Sequence, residues 1–239
     1  PLASMQFHSV QLSVKFRNLD DLLVINAPDE SSKQLSVINC DTKQRLGAAD
    51  LIANVMSTYI YLEMDERDNF ATQKFESLVV QYQHQEIDGK GSSFDQRINF
   101  NHPIIELIWF CRRKCHEQNG AFFNFAGLES RDPLQDIELK LNHQHRFPGL
   151  PASYYRLVQP YQAHSCIPDT FVYCYSFALH PEDTCTPSGS CNFSRVDNVH
   201  MRFLVQDGLE QEEVSIRIYA SNWNILRFKS GMAGLAYAN

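Results

Sequence analysis

The side chains most capable of chemistry in this sequence are few, and their spacing is poor for it. His143 and His145 stand two apart, so on a strand both imidazoles would share one face. A metal site built on such a pair also needs a carboxylate a few residues on, but Arg146-Phe147-Pro148-Gly149 follows. These histidines are read as surface or hydrogen-bonding groups. Seven cysteines are present: Cys40, Cys111, Cys115, Cys166, Cys174, Cys185 and Cys191. An odd count argues against a secreted disulfide framework and for free thiols formed in a reducing cytosol. Structural zinc wants close cysteine pairs in both halves of its site. On one strand Cys111 and Cys115 would lie ~13 Å apart at ~3.3 Å per residue, so buried apolar thiols are expected. Glu63, Asp65 and Glu66 cluster without a partner set for acid–base work. There is no G-x-S-x-G elbow, Walker loop or G-x-G-x-x-G. No catalytic residue, cofactor or metal is therefore expected.

The elements that would position any site are short and extended. Val10, Leu12, Val14 and Phe16 alternate with Gln11, Ser13, Lys15 and Arg17, the period of a half-buried strand. Leu22 to Ile25 is another apolar run, and Asn26 to Ser32 reads as a turn or linker. Leu51 to Leu62 is strand-like, and Met64 to Ala71 suits a short helix capped by Asp65. Strands are then expected at Phe75 to Tyr82, Gln96 to Asn101, Ile104 to Cys111, Gln135 to Leu141, Thr170 to Ala178, Val199 to Val205, Glu213 to Asn222 and Asn224 to Lys229. Turn clusters divide them, among them Ile87 to Ser93, Glu117 to Gly120, Phe147-Pro148-Gly149 and Thr186-Pro187-Ser188-Gly189. Many short strands with little helix predict an all-β sandwich or barrel; eight after residue 50 fit a jelly roll.

Composition agrees. Apolar residues make up 44% of 239 and aromatics 12%, enough for a large core of pleated sheets. The formal charge of −7 provides no basic surplus for nucleic acid, and Arg112-Arg113-Lys114 reads as a solvated turn. The most apolar stretch, Pro103 to Phe110, is far short of the ~20 residues that span a bilayer and contains Glu106. No direct membrane insertion is expected. No signal-peptide pattern is visible. The sequence opens at Pro1, within an expected strand, and is read as part of a longer chain.

Blocks of the sequence carry a closer resemblance. They are Tyr175-Ser176-Phe177-Ala178-Leu179-His180-Pro181-Glu182, Pro187-Ser188-Gly189-Ser190-Cys191-Asn192-Phe193-Ser194-Arg195-Val196-Asp197-Asn198, and Asn224-Ile225-Leu226-Arg227 running on to Ser230-Gly231-Met232-Ala233-Gly234-Leu235-Ala236-Tyr237-Ala238-Asn239. Upstream stand Tyr59-Ile60-Tyr61-Leu62-Glu63-Met64-Asp65-Glu66-Arg67, Phe100-Asn101-His102-Pro103-Ile104-Ile105-Glu106-Leu107-Ile108-Trp109, and Gln159-Pro160-Tyr161 with His164. In order, over roughly residues 46 to 239, these resemble the C-terminal jelly roll of the major capsid proteins of nucleocytoplasmic large DNA viruses, chlorovirus- and iridovirus-like.

The resemblance implies an eight-stranded jelly-roll β-sandwich with short helices in its loops. It divides the chain into residues 1–38, the last strand or strands of a first jelly roll plus a linker, and residues 39–239, the C-terminal jelly roll. It implies a non-enzymatic shell subunit, made in the host cytoplasm and carried in the virion. Its partners would be two further copies in a homotrimer, neighbouring capsomers and minor capsid proteins. The candidate structural or contact loop is Pro187, Ser188, Gly189, Asn192, Phe193, Ser194, Arg195 and Asp197. Pro187-Ser188-Gly189 suits a tight turn, and Arg195 and Asp197 could pair across the loop or with a neighbouring subunit. Asn192-Phe193-Ser194 is a glycosylation acceptor; a cytosolic capsid would not meet that machinery, so Asn192 is expected unmodified. Met232, Leu235 and Tyr237 would anchor a docked tail. Two other functions compete. One is a carbohydrate-binding attachment domain using Tyr154, Tyr155 and Tyr161; the other is a cupin-like metal enzyme using His143 and His145.

Overall fold

A computed structural model describes residues 1–16, 24–25, 36–37, 53–118 and 120–238. The expected linker at Asn26 to Ser32, the boundary at 38/39 and Cys40 lie outside the described residues. A two-residue antiparallel pair joins β1 (Val24–Ile25) to β2 (Ser36–Val37). The chain divides into two compact units. The smaller holds Pro1–Glu76, Gln118–Ala121 and Arg227–Gly234; the larger holds Ser77–Glu117, Phe122–Leu226 and Leu235–Asn239.

The remaining strands are β3 (Phe75–Gly89), β4 (Ser93–Arg97), β5 (Pro103–Arg113), β6 (Leu134–Leu141), β7 (Gln144–Pro151), β8 (Val172–Ser176), β9 (Cys191–Asn192), β10 (Val199–Val205), β11 (Val214–Lys229) and β12 (Met232–Leu235). One sheet runs β4-β10-β6-β7; the other runs β12-β11-β5-β8, with β3 on β11 and β9 on β5. Eight of these ten strands are five residues or longer, and β9 and β12 are short additions. The result is the all-β sandwich expected, with short helices confined to loops.

The sheets close on a core that their sequence patterns dictate. Along β10, Val199, Met201, Phe203 and Val205 are buried in strict alternation. The central strand β5 is buried on both faces over most of its length, which its near-continuous apolar run requires. At the middle of the core Trp109 from one sheet meets Phe203 from the other with ring centroids 6.4 Å apart, and Tyr155 and Tyr173 flank it at 5.3 and 6.3 Å. Where β4 ends, β3 takes over with side chains. Gln83 donates to Asn101 O (2.7 Å) and accepts from Asn101 N (3.0 Å); Gln85 donates to Arg97 O and accepts from Asn99 N. The expected break between Asn222 and Asn224 is instead a bulge within β11, at Ser221/Asn222. The buried Asn222 donates its amide to Trp223 O and accepts from Gln83 there.

Three expectations change, and one stretch without an expected element gains one. Phe147-Pro148-Gly149, read as a turn, lies within β7, an edge strand where proline costs no central ladder bond. Residues 154–163, for which the sequence suggested no element, form one π-helical turn (Tyr154–Val158) running into a short α-helix. In the smaller unit, helix α1 (Met64–Thr72) starts two residues earlier than an Asp65 cap allows. Its N-cap is Glu63, without a side-chain bond, and Asp65 and Glu66 occupy the first turn, facing the positive end of the helix dipole. The stretches 10–16 and 53–62 take no strand form, and Val10, Leu12, Val14, Phe16, Met56, Ile60 and Tyr61 are exposed. Their alternation is real, but among the described residues no strand pairs with them.

Candidate contact loop and its surroundings

The predicted loop leaves β8 and returns through β9 to β10, and nearly every bond that holds it involves its main chain. Gly189 has φ +150°, and a Cβ there would lie 2.8 Å from Phe177 O, so backbone passes backbone with no room for a side chain. Ser188 fixes the preceding turn: its Oγ accepts from His180 N (2.9 Å) and donates to His180 O (3.2 Å). Asp183 Oδ1 accepts from the amides of Cys185 and Thr186, which holds its carboxyl below the usual range.

Downstream, Asn192 caps a single 3₁₀ turn (Phe193–Arg195) by accepting from Ser194 N at 3.0 Å. Phe193 is buried against Phe177, edge to face at 5.7 Å. Its amide donates to His102 O, while His102 N donates to Ser194 Oγ at 2.8 Å. The acceptor sequence Asn192-Phe193-Ser194 is thus engaged as a turn. Asn142 reaches across from the β6–β7 turn to accept from Asp197 N and Asn198 N, and Arg97 donates to Asp197 O. Pro187, Asn192, Arg195 and Asp197 face solvent. Among the described residues Arg195 and Asp197 form no ion pair with each other, and the Asp197 backbone is held by Asn142 and Arg97. The loop is rigid beneath and free at its tips.

Other sequence candidates fall apart in space. His143 sits in the two-residue turn between β6 and β7, with Asn142 and His143 both at positive φ, and meets the Asn198 amide. His145 is the second residue of β7 and bonds Glu138, so the two imidazoles engage different partners. Tyr155 is buried and donates to Ile137 O, Tyr154 is half-buried against it, and only Tyr161 is well exposed. The three tyrosines form no shared platform. Of the cysteines, Cys111 and Cys174 are buried, and burial pushes the Cys111 thiol up to about 12. Cys115 and Cys191 are only half-buried and Cys185 is exposed, so the expectation of buried thiols fails for these three; Cys166 is exposed too. The tail docks by polar bonds. Ala236 N donates to Ile225 O, and Asn224 Nδ2 donates to Tyr237 O, both 2.8 Å, while Met232, Leu235 and Tyr237 remain about half exposed.

One cluster had no place in the sequence reading. His164, at the end of helix α3 (Gln159–Ala163; α2 is Lys114–Gln118), lies 3.1 Å from Glu106 on β5 and 3.4 Å from Glu182 in the loop after β8. Glu182 also accepts from Ser165 N and Oγ, which lowers its pKa. The bonds to Cys174 and Glu106 push the His164 imidazole up to about 10. Its sequence signal was Glu106, a carboxylate inside the most apolar run of the chain.

The family described as large eukaryotic DNA virus major capsid protein matches residues 66–234. The chain is 32% identical to a major capsid protein of Pyramimonas orientalis virus, and 30% identical to that of Paramecium bursaria Chlorella virus 1. All of this chain is covered in both cases, against 57% and 63% of the relatives' lengths. The chain thus spans about three fifths of the curated relatives it matches. Among solved structures, it is similar to a capsid chain in the quasi-atomic model of the PBCV-1 virus capsid. The TM-score is 0.63 at 29% identity, covering 76% of this chain and 56% of that one. A Faustovirus major capsid protein shares the fold at TM-score 0.60 and 12% identity. The two-sheet sandwich is the jelly-roll architecture expected from the sequence.

Proposed function

The chain belongs to the major capsid protein family of large eukaryotic DNA viruses, and from that premise we propose that it is a structural, non-enzymatic subunit of an icosahedral virion shell. The single observation that carries this is the family match across residues 66–234, which runs through the sandwich and the whole of its rigid loop. In this reading three copies close into a trimer presenting six similar jelly rolls, and trimers meet neighbouring capsomers and minor capsid proteins. A closed cyclic assembly buries its interfaces without open growth. Residues 1–38 supply the end of a first jelly roll and the linker to the second, residues 39–239. The protein is made in the host cytoplasm and resides in the virion, without nucleic-acid binding or direct membrane insertion.

The loop from Pro187 to Asp197 serves as a contact element. Its backbone is held by Ser188, Asn192, Ser194 and Asn142, so the exposed Arg195 and Asp197 side chains stand on a fixed base. Preordered surfaces lose little entropy on association. The test is the mass of the full-length parent by light scattering after size exclusion. A stable trimer is expected; a monomer at high concentration would refute the reading.

A further inference from the structure

A cavity of about 340 Å³ lies on the outer face of the four-stranded sheet, walled by Asp136 and Glu138 of β6, Arg202 and Leu204 of β10, and Pro148 and Gly149 of β7, among others. The alternate residues Ile137, Met201 and Phe203 point into the core, so the charged side chains project outward together. Arg202 stands directly opposite Glu138 on one side and Asp95 on the other. Both carboxylates are engaged elsewhere, Glu138 by Lys140 (3.4 Å) and His145, and Asp95 by His200 (3.3 Å). Among the described residues neither Arg202 nor Asp136 has an ion pair or a side-chain hydrogen bond. A Cβ at Gly149 would meet nothing within 4 Å, so that wall stays open.

The loop ahead of β10 carries the converse pair. Val196 is half-buried against the core, while Arg195 and Asp197 on either side of it face solvent, and neither side chain has a partner among the described residues. Two extended residues separate them by ~7 Å. Asp136 and Arg202, diagonal neighbours across two strands, stand ~7–8 Å apart. The loop is pinned by Asn142, where β6 turns into β7, whereas Arg202 lies three residues, ~10 Å, into β10, so the chain leaves its own cavity open.

Building on the shell-subunit reading, we propose that this cavity receives the Arg195–Asp197 loop of a second copy, with Arg195 pairing with Asp136 and Asp197 with Arg202. The two pairs of opposite charge fix the register, since a reversed approach would set like charges together. The contact joins two different patches, so it repeats from copy to copy and either closes into a ring or extends as a lattice.

The experiment follows association of the full-length parent by light scattering over a range of concentrations. Arg195→Asp and Asp136→Arg should each weaken association between copies by about tenfold or more, because each sets like charges together. Both side chains are exposed and unpaired, so thermal melting should not move. Mixed in equal amounts, the two altered chains should associate with each other, since every loop then meets the opposite charge in the other chain's cavity. The double variant Arg195→Asp/Asp136→Arg should associate within about threefold of the unaltered parent. Unchanged association of the single variants would assign the cavity to another occupant and overturn the proposal, as would a mixture or a double variant no better than the singles. In either case a parent that still forms trimers leaves the shell reading standing. A parent that stays monomeric at high concentration overturns both.

Discussion

Replacing His164 by Gln gives the sharpest test of how the long excursion from residue 154 to residue 182 is held on the sheet. The imidazole, with only 16% of its side chain exposed, lies between Glu106, 11% exposed, and Glu182, 50% exposed. Its pKa is raised from 6.5 to about 10, first by the bond to Cys174 and then by that to Glu106. At ~1.36 kcal/mol per pH unit that interval sets a ceiling near 5 kcal/mol. Burying the Glu106 carboxylate and solvent screening at Glu182 offset part of it, which leaves about 2–3 kcal/mol.

The sign follows from linkage. A folded-state pKa above the unfolded one means the folded chain holds the proton more tightly. The stabilisation is therefore complete below about pH 6.5 and is lost as pH rises towards about 10. Urea titrations of both chains, at about pH 6, 8 and 10, should show His164→Gln less stable by about 2–3 kcal/mol at the lowest pH, with the gap closing at the highest. A gap that is the same at all three values, or widest at the alkaline end, would refute the charged clamp and leave His164 a packing residue.

Two further substitutions probe the frame. Gly189→Ala places a methyl 2.8 Å from Phe177 O at a positive φ and should cost about 2 kcal/mol or more by thermal melting, in contrast to Gly149→Ala, where nothing lies within 4 Å. Trp109→Ala empties the centre of the sandwich and should cost about 3–5 kcal/mol in a denaturant titration. Trp109→Phe should cost clearly less, since the indole N–H has no partner among the described residues to lose.

How far the sequence could be read depended on where each signal comes from. The span of β10 was legible to the residue because alternation and turn chemistry agree, with Val199 and Val205 as the first and last inward positions. β7 was hidden because Pro148 and Gly149 carry turn propensity that an edge position overrides. The π-helical turn at Tyr154–Val158 has no capping or periodic signal, and it forms because Tyr155 is drawn into the core against Trp109. In the loop, the Asn192 cap follows from local rules, whereas the tight turn expected at Pro187-Ser188-Gly189 is not there: the chain bends earlier, at residues 184–186. Asn142 bonding Asp197 across 55 residues does not, and neither does the meeting of Glu106 with His164, since both are products of tertiary packing.

Residues 10–16 pose the opposite problem, a strand pattern without a strand. Leu12 is 71% exposed and Val10 68%, although their alternation with Gln11 and Ser13 is as clean as that of β10. A strand is stable only when its backbone is paired and one face is covered. On the reading proposed above, the partners are strands of a first jelly roll, which belong to the part of the relatives' length this chain does not span. Leu12→Asp then separates two cases by its context. In the 239-residue chain the substitution should change stability by less than about 0.5 kcal/mol, because an exposed side chain has little to lose. In the full-length parent it should cost about 2 kcal/mol or more, the consequence of forcing a carboxylate into an apolar interface. Denaturant titrations of both chains give the comparison. An equal and large loss in the shorter chain would mean that residues 10–16 are already packed within it, and the assignment of this segment to a first jelly roll would fall.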